Sequence, residues 1–492
     1  MKSQPFRCTV ASVDGPRTAW SLLPLLALAA IALVVIGETL TLRVPAELSL
    51  NYIEGIIQFD ALHAARGETL YGDPATSPWT VNVYTPLYPV ALAGLLHLGA
   101  ESFAAGRMLS YLALLATAGL VVWSARRRSA PLAWSVAAFY LTLPLFVWWG
   151  ALVRPDNLAL LCSALGVVVV DRCAGRRALY WAVPLFLAAG LAKQSVFAGL
   201  AAALLHLAFR DLRVAARFAA LFALAALIAV AALQAATGGW FWFNAVTANA
   251  LTPFHWDRAW AIQQLFLGLH APVMAVGIAL LLATLWRRRL SLYALWFIAA
   301  YTWTLSAGKL GSDTNYFLEA MAALAFLAAH ELPLLRTESS EKAHAAAGLG
   351  SLLAVALAAT QLSFHHEKNS WIRDAEGRHR ALVEELSAVE GPFVSDDVGL
   401  LLQLRKPLVF QPFIISQLAR AGAWDQQPFA SALREGRFAR VIVRSQPPGV
   451  HHTRYTPRMR QALARSYQLV GTRELQFEYE VYAPRLGVGR KE

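Results

Sequence analysis

Long apolar runs broken by short basic intervals dominate the first three quarters of the chain. Runs at 19–42, 108–123, 131–149, 158–170, 178–192, 195–209, 218–236, 265–286, 290–307, 316–331 and 345–362 predict about eleven membrane spans, several of them short. A helical crossing takes about 20 residues, so the 86–99 run is short for one and is expected to lie along the outer interface. That reading keeps Arg126, Arg127 and Arg128 on the same side as the other basic intervals, which are 171–177, 210–217, 287–289 and 336–344. Lys2, Arg7 and Arg17 precede the first run and place the N-terminus with them. Basic residues collect on the cytoplasmic side, so the long polar stretch 51–89 is expected outside. The first run is expected to be a retained span, being too long for a cleaved signal and without a convincing small-residue cleavage site.

From about His365 the pattern becomes that of a soluble segment. A charged helical period at 370–389 precedes short strand patterns at 391–394 and 440–443. Helical patterns lie at 398–404, 414–421 and 430–434, and a weaker strand signal at 477–482. The expected architecture is mainly α: a membrane bundle over 1–364, with a first outer loop at 44–106, and a small extracytoplasmic α/β domain over 365–492. The Trp-rich stretch 240–260 is expected to form an interfacial amphipathic helix.

Composition sharpens this in one respect. Of 492 residues, 57% are hydrophobic and 15% charged, against about 25% charged in soluble domains. The net charge of +12 is carried largely by the cytoplasmic intervals, so nucleic acid is not needed to explain it. Three cysteines form no framework, and His63, His255, His365 and His366 show no metal-binding spacing.

The chemistry-bearing groups gather in the outer intervals: Glu54 and Asp60, Arg154 and Asp156, Lys193 and Gln194, then Asn315 and Tyr316. Glu319 lies one turn further, inside a span, where an ionisable side chain is costly and usually functional. A carboxylate beside a cation suits group transfer from a phosphate-linked donor. The carboxylate takes the acceptor proton, and the cation offsets charge on the departing phosphate. Each group also has a structural alternative: a solvated acid for Glu54, a wet helix face for Asp60, a helix cap for Asp156, a snorkelling side chain for Lys193.

Five motifs in order, NYIEG, LYGDP with YTPLYP, RPDNLAL, AKQS and GSDTNYFLEA, resemble the bacterial GT-C fold glycosyltransferases of the protein mannosyltransferase and aminoarabinose transferase superfamily. The resemblance implies an inner-membrane enzyme with its site and C-terminal domain facing the periplasm. It would transfer a sugar from a polyprenyl-phosphate donor to a glycan, lipid or protein acceptor, with inversion at the anomeric carbon expected because one direct displacement suffices. Carried over by position, Glu54 and Asp156 are the catalytic acids, and Lys193, with Arg154, meets the donor phosphate. Asp60, Tyr84, Gln194, Asn315 and Tyr316 are expected to contact substrate. Ile53 stands where an acid pair is common, which counts against a metal-dependent mechanism, with a divalent cation kept as the alternative. The rival from another class is a transporter or lipid flippase, for which internal repeats and midplane polar residues would be expected.

Overall fold

The computed structural model describes residues 15–99, 103–173, 176–288, 290–335, 341–445, 453–475 and 477–486. Its helices are α1 (Gly15–Glu38), α2 (Tyr52–Ala65), α3 (Leu87–Leu96), α4 (Phe103–Thr142), α5 (Pro144–Gly150), α6 (Asp156–Cys173), α7 (Ala182–Ala192), α8 (Ala198–Ala208) and α9 (Leu212–Ala236). After the short turns α10 (Trp240–Trp242) and α11 (Ala248–Ala250) come α12 (Trp256–Trp286), α13 (Leu292–Trp303), α14 (Leu318–Leu335) and α15 (Glu341–Ser387). The C-terminal segment adds α16 (Val398–Gln403), α17 (Pro412–Arg420), α18 (Gln427–Arg434) and α19 (Pro457–Ser466). Its strands are β1 (Phe393–Ser395), β2 (Arg440–Arg444), β3 (Tyr467–Glu474) and β4 (Glu478–Pro484).

Each of the eleven predicted spans falls on helix, and among the described residues five helical stretches are long and apolar enough to cross a membrane: Leu23–Arg43, Phe103–Thr142, Leu212–Ala236, Trp256–Trp286 and Thr314–Leu334. The chain is a multi-pass membrane protein. Helix α4 is two of the predicted spans joined at a kink. Ser129 leaves helical geometry (φ −162°, ψ 103°) two residues before Pro131, whose ring obstructs the preceding turn. The Trp-rich stretch corrects the single helix expected there. It is helical without a gap from Trp240 to Ala250, through α10, a π-turn at Phe243–Thr247 and α11; the chain then leaves the helix at 251–255, and the following helix begins at Trp256, well before the apolar run that announced it.

The expected interfacial segment after the YTPLYP motif is α3. Before it, α2 opens with a capping box in which Asn51 Oδ1 accepts from Ile53 N while Glu54 Oε2 accepts from Asn51 N. This satisfies amides that a helix start otherwise leaves bare. Ile53, Ile56, Ile57 and Phe59 on α2 are all buried, each contributing about 1.5–3 kcal/mol of burial free energy. They pack in one cluster with Val398, Leu400 and Leu401 of α16, with Leu404 just after it, and with Tyr88 and Leu92 of α3.

The first loop and the C-terminal segment are therefore built into each other. Trp79 pairs with Phe410 in a parallel bridge, with Trp79 N donating to Val409 O and Gln411 N to Trp79 O. A Cβ on Gly55 would overlap the backbone of Gly399, so only glycine lets α2 and α16 approach this closely. The sheet order is β1-β2-β4-β3, with β1 and β2 parallel and the other pairs antiparallel. Helix α15 runs unbroken through the position near His365 at which the composition changes.

Candidate functional site

The site is assembled from the ends of helices. Ala151–Pro155 leads into α6, whose first residue is Asp156, just ahead of the apolar run. A carboxylate there is favoured by the helix dipole, and Pro155 needs no amide partner at a helix start. Helix α7 ends at Ala192, and Lys193 leaves it in an extended conformation (φ −152°). Asn315 sits on the short 3₁₀ turn Thr314–Phe317 that precedes α14.

These three points converge. Lys193 Nζ lies 2.5 Å from Asp156 Oδ1, Asn315 Nδ2 donates to the same oxygen at 2.8 Å, and Arg154 Nε donates to Asp156 Oδ2 at 3.1 Å. All four side chains are buried: Asp156 is 3% exposed, Asn315 6%, Lys193 7% and Arg154 8%. Burial alone would disfavour the charged carboxyl, but the Lys193 and Arg154 cations outweigh it and hold Asp156 well below the usual carboxylate range. The guanidinium of Arg154 also packs over the Trp149 ring, 4.9 Å from its centroid, and the Lys193 ammonium lies 5.5 Å from that of Tyr316.

Arg154, Lys193 and Asn315 face a cavity of about 690 Å³. Tyr52, Tyr84, Gln194, Asn249, Lys309 and Tyr316 also line it, and the C-terminal segment closes one side with Gln411, Phe413 and Ile414. Three cations and no carboxylate are among its lining residues. Asp156 lies just behind, in a small void shared with Lys193, Asn315 and Glu319. Burial pushes the Tyr52 and Tyr84 phenols above their usual range, so both stay neutral hydrogen-bonding groups. Gln194 serves position as well as lining: its Nε2 donates to Val83 O and Ala245 O, tying the first loop to the Trp-rich segment. Glu319 accepts from Ser163 Oγ, Gly199 N and Trp296 Nε1, joining α6, α8 and α13 beneath the site.

Two expected site residues lie elsewhere. Glu54, expected as the base, is fully buried and does not line the cavity. Its carboxylate is paired with Arg107 (Nε–Oε1 and Nη2–Oε2, both 2.9 Å) and also accepts from Leu50 N, Asn51 N and Val153 N. Both oxygens are engaged, by five donors in all. Asp60 sits two turns beyond Tyr52 on α2, half-buried and outside the cavity lining; burial pushes its carboxyl up to about 8. The sequence reading passed over Lys309, Asn249, Tyr52 and Phe413. Lys309 stands two residues before the GSDTN motif that holds Asn315 and carried a signal, being a lone cation in an outer turn.

Among the described residues no three His, Cys, Asp or Glu side chains come together as a metal site. Asp156 is surrounded by N–H donors, which do not fit a divalent cation, and no step below is routed through one.

No protein-family model matches the chain, and no curated protein matches it in sequence. Its fold is that of ArnT from Cupriavidus metallidurans. The ArnT structure bound to undecaprenyl phosphate aligns with a TM-score of 0.62 at 16% identity, covering 96% of this chain and 100% of that one. The apo structure gives 0.61 at 18%, covering 97% and 100%. The GT-C fold expected from the sequence is the fold the chain has.

Proposed function

We propose that the chain is an integral-membrane glycosyltransferase. It takes a sugar from a polyprenyl-phosphate donor and delivers it to an acceptor at the outer face of the cytoplasmic membrane. The observation that carries this is the Asp156 carboxylate with Lys193, Arg154 and Asn315 at the edge of a cation-lined cavity. The ArnT fold, solved with undecaprenyl phosphate, supports a lipid-phosphate donor.

In the mechanism we read from this geometry, an acceptor O–H or N–H approaches Asp156 and attacks the anomeric carbon. The bond to the phosphate oxygen breaks, its electron pair stays on that oxygen, and the acceptor proton passes to Asp156. One displacement inverts the anomeric centre. Lys193, Arg154 and Asn315 keep the carboxylate ionised and aimed. The developing negative charge on the departing phosphate falls within a cavity lined by cations and by no carboxylate.

Mass spectrometry of envelope glycans and lipids from cells lacking the chain tests this. A glycosylated species should disappear, return with the wild-type chain and stay absent with Asp156→Asn. An unchanged profile, or restoration by the variant, would remove the proposal.

A further inference from the structure

We infer that Lys309, rather than Lys193, is the residue that docks the donor's phosphate group; this rests on the glycosyltransferase reading above.

The cavity holds three cations in two electrostatic states. Arg154 and Lys193 both touch Asp156, so the charge of one carboxylate is already shared between them. Lys309 has no ion pair among the described residues. Its Nζ meets the neutral Asn249 Oδ1 at 3.3 Å, and burial depresses its basicity. An ammonium in that condition gains most from an incoming anion, since a charged group out of water needs a counterion or water to replace its hydration.

Stereochemistry points the same way. In a single displacement the attacking and departing oxygens lie on opposite faces of the anomeric carbon. A cation in direct contact with the base is therefore on the attack side. The phosphate needs a separate contact across the sugar, and Lys309 is the lining cation that does not touch Asp156.

The backbone under Lys309 is held for such a task. His255 N donates to Gly308 O at 3.0 Å and Leu310 N to Pro253 O at 2.8 Å. Arg258 donates to Lys309 O at 3.3 Å and to Ser312 O at 2.5 Å. Gly311 has φ +86°, and a Cβ there would meet the Phe413 ring at 2.8 Å, which fixes the turn between the ammonium and the C-terminal segment. The surroundings fit a lipid-borne phosphate. Phe254, bridged to Lys309 in the backbone, is 43% exposed, and the neighbouring Trp256 and Leu305 are exposed apolar side chains. Phe197 packs edge-on against Trp303, with ring centroids 4.3 Å apart, and both line the cavity.

The test uses the full chain in nanodiscs with undecaprenyl phosphate and the matched alcohol, undecaprenol, as probes. Wild type should prefer the phosphate, and Lys309→Met should weaken phosphate binding by about tenfold or more, the worth of one charge-assisted hydrogen bond. Undecaprenol binding should be unchanged, which also reports folding. Lys309→Arg should retain the preference. Asn249→Asp, which supplies Lys309 with an internal counterion, should weaken phosphate binding with the lysine intact. A wild-type preference that survives in both Lys309→Met and Asn249→Asp overturns the assignment. A wild type with no preference for the phosphate instead removes the donor reading on which it rests.

Discussion

Replacing Glu54 by glutamine separates a structural acid from a catalytic one. Its carboxylate accepts from Arg107 Nε and Val153 N on one oxygen, and from Leu50 N, Asn51 N and Arg107 Nη2 on the other. An amide keeps one oxygen and turns the other into a donor, so at least two donors lose their acceptor and face an N–H₂ group. Arg107 then keeps the carbonyls of Arg43, Ala46 and Leu48 and one bond to the amide oxygen, but has no counter-charge at residue 54. Breaking a fully buried ion pair costs about 3–5 kcal/mol, a large part of the ~5–15 kcal/mol by which a domain is stable. Loss of a general base would instead cost ~10²–10⁴ in rate with little effect on melting. The assay is thermal melting of the detergent-purified variant beside its transfer rate per folded molecule. Glu54→Gln should express poorly and melt early, while the folded fraction keeps transfer to within about tenfold, well short of a base's contribution. Wild-type melting with transfer abolished would refute this reasoning and return Glu54 to the chemistry.

Three further outcomes follow from the packing. Because burial raises the Asp60 carboxyl to about 8 in the folded chain, the native state keeps that proton while the unfolded state loses it near pH 4. Stability from this group therefore falls as pH rises from about 4 to 8, and melting curves should show Asp60→Asn gaining on wild type across that window and matching it below. Gly55→Ala drives a Cβ into the Gly399 backbone, so limited proteolysis should cut the segment after Ser387 faster than in wild type. Phe413→Ala removes a side chain that lines the cavity and packs edge-on to Tyr52 at 6.4 Å. Steady-state kinetics should show KM rising more than kcat falls, since Asp156 and its partners are untouched.

Much of the framework was legible because it is written in local pattern. Apolar runs and Arg clusters marked the spans, and Asp156, Lys193 and Asn315 stood out as polar groups at the ends of apolar helices, which is where the fold uses them. The surroundings of Glu54 were hidden by distance: its partner Arg107 lies on another helix, and one-dimensional pattern does not reveal a long-range ion pair. The lone Arg beside the Met108 run was the available clue, since a cation at that depth requires a partner. The docking of the C-terminal segment was equally hidden. Trp79 and Phe410 pair through backbone hydrogen bonds, which leave little trace in side-chain pattern, and Gln411 reaches Val81 N through its Oε1. Strand β3 was missed because its alternation is interrupted at Gly471, where its register against β4 shifts.

A carboxylate held by cations from separate loops should perform the sugar transfer. The most direct test is the appearance of polyprenyl phosphate when the purified full-length chain, in proteoliposomes, meets a polyprenyl-phosphate sugar and an envelope extract as acceptor source. Wild type should release polyprenyl phosphate. Asp156→Asn, compared per folded molecule, should do so at least about 10²-fold more slowly, the lower end of what general-base catalysis supplies. Release by the variant at the wild-type rate would contradict the account, as would a wild type that carries the intact lipid-linked sugar across the bilayer without cleaving it.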